Sequence, residues 1–309
     1  MNTHIENVPA VDSPEWHTWR RGRLGASEIA AACGFSQYKS RYQLWLDKTG
    51  RSEPTPETPA MRWGKRHEQG LVEDWTEVKC YGIEAYPCQP FAWPDSQIPF
   101  HATPDAIVST PEGEIELLEC KTTTWRNDKL GDEDTDAIPH EWIFQAQAQL
   151  HCVGLNVCNF AVLIDGREMR SYRVERNDKM IRDMHSLCVA FWKHVETDEH
   201  PPIDWGDSKD VDAYIRQWKP YEGRTVEIPA GSFAVDHYLE YESLGKQISY
   251  LQEKRDKYKA MFLDAAGTGD QFMFPDGAVV TAKTVKSKGY FVQPKEYVRL
   301  SCKKAKVSE

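Results

Sequence analysis

Residues 101–123, HATPDAIVSTPEGEIELLECKTT, read as two strands folded about the turn TPEGE, and this hairpin limits the fold more than any other stretch. Side chains two apart in a strand share a face, so Glu119 and Lys121 point one way while Leu118, Cys120 and Thr122 point the other. Leu118 and Cys120 can pack, which leaves an acid and a base on a polar face. If the strands pair about the turn, Asp105 arrives beside them. Taken alone, the same residues also make an ordinary hairpin, with a Glu119–Lys121 surface pair and Asp105 simply following Pro104 in a turn. Patterns this short arise by chance, so their context has to decide.

The context mixes helices and strands. Ser13 and Pro14 suit a helix start over about 13–21, with Glu15 at the positive end of its dipole. Ser27 is placed to cap the short helix SEIAAAC, stopped by Gly34, and Ser40 with Gln43 has capping-box spacing before a helix ended by Gly50. In AMRWGKRHEQGLVEDWTEVKCYG, Met61, Glu68, Leu71, Val72, Trp75 and Val78 recur at helical spacing, which puts Glu68 on or beside the inward stripe. Strand texture begins near 83 with IEAYPCQPFAW, IPFHATPDAIVS and EIELLECKTT. A helix follows over about 139–153, ended by Gly154, then a hairpin turned by Asp165-Gly166, then a helix over about 177–197. The expectation is an α/β (α+β) domain over 1–200, a central mixed sheet flanked by helices.

An acidic, proline-bearing connector, DEHPPIDWGDSKD, opens the expected extension, 201–309. It holds a long charged helix and a β-hairpin around Pro275-Asp276-Gly277. Leu244, Ile248, Leu251 and Tyr258 lie at roughly heptad spacing, which suits a coiled-coil arm, a partner seam or packing on the chain itself. Across 282–309 eight Lys/Arg stand against two Glu, with Tyr290, Phe291 and Tyr297 interleaved; this end either grips DNA or is a solvated basic hairpin.

Composition excludes several classes. With 40 % hydrophobic and 28 % charged residues the chain is globular, and it has no apolar run long enough to span a bilayer. No apolar leader precedes MNTHIENVPAVDSPEW and the eight cysteines form no CxxC pair, so the expected setting is a reduced cytoplasm with no membrane attachment. The net charge of −10 argues against a surface that coats nucleic acid throughout, but a nuclease needs only a local basic rim and clustered carboxylates. His67 and His101 with Cys80, Cys88, Cys152 and Cys158 match no common zinc or iron–sulfur spacing.

A hard cation binds through carboxylate oxygens and keeps several waters, so one or two carboxylates with a main-chain carbonyl suffice. A neighbouring lysine orients or deprotonates a water and steadies charge developing on a phosphate. In order and spacing, Trp16…Arg20…Leu24-Gly25-Ala26-Ser27, RWGKRHE, HATPDA, LLECK and QAQAQ resemble the phage lambda exonuclease and YqaJ viral recombinase family, over about residues 14–195. That family has the PD-(D/E)XK, restriction-endonuclease-like fold. The resemblance implies Asp105 and Glu119 as metal-binding carboxylates, the carbonyl of Cys120 as a further ligand, and Lys121 as general base or water-orienting residue. It gives Glu68 an assisting role at the metal and Gln145 the positioning of water, lysine or phosphate.

Arg20, Ser27 and Thr103 correspond to the family's residues for a terminal 5′-phosphate, Thr103 standing where the family has serine. From the residues alone, Arg20 is a solvated charge, Ser27 a helix cap, and Gln145 with Gln149 a polar helix face. A capped helix N-terminus is also a seat for phosphate. Asp95 has a family counterpart with a weaker claim to a role. The activity implied is Mg²⁺-dependent hydrolysis of linear double-stranded DNA from the 5′ end, with Mn²⁺ as a substitute cation, leaving 3′ single-stranded tails. The implied partners are duplex ends, a single-strand annealing recombinase and further copies in a homotrimeric ring, in the cytoplasm of a bacterial host, with the protein encoded by a phage or prophage. The alternatives are a site- or structure-specific endonuclease on the same fold, and a non-catalytic DNA-binding recombination protein.

Overall fold

The computed structural model describes residues 4–10, 12–52, 57–94, 96–124, 129–219 and 223–283. Asp95 and most of the basic C-terminal end lie outside the described residues. By its contacts the chain groups into two units, Met1–Gln217 and Trp218–Glu309.

The first unit opens with α1 (Pro14–Arg21), where Ser13 accepts a hydrogen bond from the Trp16 N–H, the cap expected from the sequence. The strand β1 (Leu24–Gly25) leads through a 3-10 turn, Ala26–Glu28, into α2 (Ile29–Cys33). Ser27 is therefore not the cap that the sequence suggests. It sits inside the 3-10 turn with its side chain exposed, while the Glu28 carboxylate reaches back to the Gly25 N–H at 2.8 Å. Gly34 ends α2 in the left-handed region at φ 82°. In α3 (Arg41–Lys48), Ser40 caps by accepting the Gln43 N–H. The Gln43 side chain does not close a capping box; it donates to Asp210 at 3.0 Å.

Thr58 caps α4 (Pro59–Lys79). Its stripe is buried only in the middle, at Leu71, Val72, Trp75 and Thr76; Met61 and Val78, expected inside, are exposed in its end turns. After β2 (Gly82–Ala85), the expected single strand IPFHATPDAIVS divides into β3 (Phe100–His101) and β4 (Ala106–Ser109). Pro104 lies in the break, where it has no N–H to give a ladder. Upstream of the break, β3 pairs in parallel with β1 and Ala102 bridges to Phe91; downstream, β4 joins the main sheet. Asp105 sits where the chain passes from one sheet to the other.

The main sheet continues with β5 (Ile115–Thr123), crosses over through α5 (His140–Val153), and returns in β6 (Val157–Ile164) and β7 (Glu168–Glu175). Its order is β2-β4-β5-β6-β7, antiparallel except for the parallel β5–β6 pair that the helical crossover permits. Asp165 and Gly166, both at positive φ, turn the β6–β7 hairpin as their sequence demands. Val72 and Trp75 cover one face of the sheet with Ala106, Val108, Leu118 and Ala161. On the other face α2, α3, α5 and α6 (Asp178–Thr197) build the larger core around Leu117, Phe160 and Val162. This is the mixed sheet between helices that the sequence predicts. The connector is more than a linker: α7 (Ser208–Gln217) belongs to the first unit, and buried Asp210 accepts from Ser40 Oγ at 2.6 Å.

The second unit comprises α8 (Phe233–Ala266) and the hairpin β8 (Gln271–Met273) and β9 (Val279–Thr281). The hairpin turns at Pro275-Asp276-Gly277, and its Phe272 and Phe274 rings rest on Phe262 of α8. Leu244, Ile248, Leu251 and Tyr258 are exposed. Among the described residues no helix is long and apolar enough to cross a membrane, and the seven described cysteines are free thiols.

Candidate active site

The register of β4 on β5 starts at Ala106 opposite Leu118, so the preceding Asp105 projects past the end of the ladder toward Glu119 and Cys120. Its Oδ2 accepts the Cys120 N–H at 2.7 Å. Within a strand the N–H and C=O of one residue point to the same side. The Cys120 carbonyl therefore also faces the Asp105 side, beyond the point where β4 supplies a ladder partner. This sets a main-chain oxygen on the Asp105 side of β5, the carbonyl that the family resemblance implies as a further ligand.

Glu119 is 3 % exposed, yet both of its carboxylate oxygens are hydrogen-bonded. Oε1 accepts from Lys121 Nζ at 2.7 Å and from Gln145 Nε2 at 2.5 Å, while Oε2 accepts from Gln149 Nε2 at 2.8 Å. Gln145 Oε1 in turn accepts from Lys121 Nζ at 3.1 Å. The two glutamines lie one helical turn apart, so α5 presents both to β5. The third, Gln147, serves structure: it donates to the Glu175 carbonyl at 2.7 Å and accepts the Asn177 N–H at 2.7 Å.

Three carboxylates, Asp105, Glu119 and Glu68, feel one another, with the ammonium of Lys121 among them. Burial, then Glu119, push the Asp105 carboxyl well above its ordinary range, against the pull of Lys121 and the Cys120 N–H. Glu68, half-buried on α4, is raised by burial and then by Glu119, and the Tyr86 hydroxyl bonds to it. Burial opposes the charge on Lys121, but Glu119 and Asp105 outweigh it and raise its pKa, so it stands as an ammonium. Burial and then Asp105 push both nearby thiols up, Cys88 to about 12, which keeps them neutral.

A site of oxygen donors with more carboxylate than ammonium charge suits a hard divalent cation. Among the described residues no three His, Cys, Asp or Glu side chains gather closely enough to hold one unaided. Two carboxylates with the Cys120 carbonyl leave positions for water or phosphate oxygens, which is how Mg²⁺ is commonly bound. The residues present fit such an ion.

The crowding has a measurable cost. Below the unfolded carboxyl range of about 4, Asp105 is protonated in both states, and it destabilises the fold as pH rises toward its elevated folded value. In EDTA, Asp105→Asn is therefore expected to unfold at a higher temperature than the parent at pH 8, the gain shrinking toward pH 4. Lower stability of the variant at pH 8 contradicts this electrostatic account.

Beside the carboxylates, β1 and β3 run parallel with Gly25 opposite His101, and Ser27 and Thr103 each follow two residues beyond that pair. Both side chains are exposed. Arg20 stacks its guanidinium on Trp16, 4.8 Å from the ring centroid, and its charge is felt by Glu28 and His101. Lys48, buried on α3, fixes this segment: it donates to the Arg23 carbonyl at 2.6 Å and the Arg20 carbonyl at 3.1 Å, and pairs with Glu28 at 2.6 Å. Burial drives the His101 imidazole down to about 3, so it stays neutral and packs against Trp19.

The structure thus gathers Asp105, Glu119, Lys121, Gln145 and Glu68, and sets Ser27 and Thr103 on adjoining chain segments, with Arg20 on the helix before them. Sequence reasoning missed Gln149 as a Glu119 partner, Tyr86 as the partner of Glu68, and the Lys48–Glu28 staple. The one-turn spacing of Gln145 and Gln149 was the available signal for the first.

Residues 15–156 match the model of the YqaJ-like viral recombinase domain. The uncharacterized protein YqaJ of Bacillus subtilis (strain 168) is 25 % identical over 244 residues, spanning 78 % of this chain and 74 % of that protein. An alkaline exonuclease (LHK-Exo) from Laribacter hongkongensis superposes with a TM-score of 0.47 at 22 % identity, over 60 % of this chain and 94 % of that one. The same exonuclease in complex with dAMP gives a TM-score of 0.47 at 24 % identity, with the same coverage.

Proposed function

From a chain whose residues 15–156 match the YqaJ-like viral recombinase domain, and whose β4–β5 edge holds Asp105, Glu119 and Lys121 together, we infer a divalent-metal-dependent exonuclease acting on linear double-stranded DNA. The observation that carries this reading is the buried Glu119 carboxylate, gripped by Lys121 and two glutamines beside Asp105. A polar surface hairpin would have no reason to bury and clamp it.

Asp105, Glu119 and the Cys120 carbonyl would hold Mg²⁺, or Mn²⁺ in its place. A cation bound there would supply polarisation of a phosphoryl oxygen and a lowered pKa for a water. Lys121, as an ammonium, orients the attacking water and offsets negative charge on the phosphate; acting as base would first require it to lose its proton. Gln145 holds Lys121 in place through its Oε1. Glu68 adds negative charge from α4 and is steadied by Tyr86. Arg20 with the Ser27 and Thr103 hydroxyls takes a terminal 5′-phosphate, which sets a 5′ to 3′ direction and leaves 3′ tails. A single-strand annealing recombinase is the partner such tails require, and a homotrimeric ring is the assembly proposed for holding the duplex.

Linear and covalently closed circular duplexes, mixed in one reaction with Mg²⁺, separate this reading from an endonuclease. Linear DNA is expected to disappear while circles persist. Cutting of closed circles at a similar rate would instead establish a site- or structure-specific endonuclease.

A further inference from the structure

Gln149 is fully buried between Ala148 and Leu150, on a stretch of α5 that otherwise serves the core. Its Nε2 donates to Glu119 Oε2 at 2.8 Å and lies 3.4 Å from the Thr103 carbonyl. Its Oε1 is buried and has no hydrogen-bond partner. Turning the amide over would not help, because it would set an acceptor against the Glu119 carboxylate and the Thr103 carbonyl together. A buried unpartnered acceptor costs on the order of 1–3 kcal/mol, and a leucine at this position would carry no such cost. The amide therefore has a use that outweighs its burial.

Counting lone pairs on Glu119 indicates what that use is. Each carboxylate oxygen accepts about two hydrogen bonds. Oε1 already has two donors, Lys121 and Gln145. Oε2 has one, Gln149, which leaves a lone pair free.

Building on the metal-dependent reading above, we propose that Glu119 offers Oε2, not Oε1, to the divalent cation, and that Gln149 is the positioning residue that aims it. Gln145 and Lys121 hold the opposite oxygen and act on the water and phosphate side. Partners of this kind behind a metal ligand alter cation affinity by about 10–100-fold when removed.

The test is Mn²⁺ binding to the full chain without DNA, followed by electron paramagnetic resonance of the free ion, for the parent, Gln149→Met, Gln145→Met and Asp105→Asn. The expected result is a dissociation constant raised about 10-fold or more in Gln149→Met and clearly less in Gln145→Met. Gln149→Met should retain the parent's unfolding temperature in EDTA to within a few degrees, since it also removes an unpartnered acceptor. Should the thioether prevent folding, Gln149→Asn withdraws the amide by one methylene and must weaken binding in the same direction. Binding lost in Asp105→Asn but unchanged in Gln149→Met overturns the inference while leaving the metal site intact. A parent chain that binds no Mn²⁺ overturns the metal-dependent reading itself.

Discussion

Lys121→Ala is expected to fold, to bind duplex DNA, and to release nucleotides from it about 10²–10⁴ times more slowly than the parent. The Nζ group touches both Glu119 and Gln145, and its charge is felt by Asp105 and Glu68. Without it, negative charge on the phosphate meets Asp105 and Glu119 without the ammonium that offsets them, and Gln145 Oε1 loses the Lys121 donor. A single-turnover assay on end-labelled duplex, with protein in excess, isolates the chemical step from product release. A variant that kept more than about a tenth of the parent rate would leave Lys121 outside the chemistry, since loss of one positioned donor typically costs more.

Arg20→Ala is expected to erase a preference for 5′-phosphorylated over 5′-hydroxyl ends while leaving digestion of 5′-hydroxyl ends near the parent rate. A hydrogen bond to a charged group contributes about 1.5–3 kcal/mol, which corresponds to a preference of roughly 10- to 100-fold. Stacking on Trp16 holds the guanidinium, and Lys48 ties the carbonyls of Arg20 and Arg23 to Glu28, so the arm that presents the charge is braced from below. Competition between the two kinds of end in one reaction measures the ratio directly. An unchanged ratio in Arg20→Ala would move the phosphate seat elsewhere.

The fold was legible where a local rule acts alone. Ser13, Ser40 and Gly34 mark helix ends because capping depends on neighbours within a few residues, and Asp165-Gly166 turns a hairpin because both positions need positive φ. Alternation along 115–123 placed Glu119 and Lys121 on one face before any partner was known. What stayed hidden depends on distant residues. Ser27 has the chemistry of a cap, but the Glu28 carboxylate takes the Gly25 N–H and is itself held by Lys48 from another helix. Met61 and Val78 obey the helical period yet lie in end turns of α4 that are not covered. The connector DEHPPIDWGDSKD runs into the first turn of α7, and nothing in it announces that Asp210 will bond to Ser40.

The candidate site divides in the same way. Pro104 breaks the strand and sets Asp105 at the passage between two sheets, which the sequence hinted at only as a turn. Gln149 looked like half of a polar helix face, and only the crossover from β5 through α5 to β6 shows that this face is turned inward onto Glu119.

The central claim is that Asp105, Glu119 and Lys121 form a phosphodiesterase centre that works with a divalent cation. The most direct measurement is acid-soluble nucleotide released from linear duplex DNA by the purified full chain, in Mg²⁺ and in excess EDTA. The account predicts steady release in Mg²⁺, none in EDTA, and recovery when Mg²⁺ is restored. Release that continues in EDTA, or none in Mg²⁺ from a folded protein that binds the DNA, would contradict it.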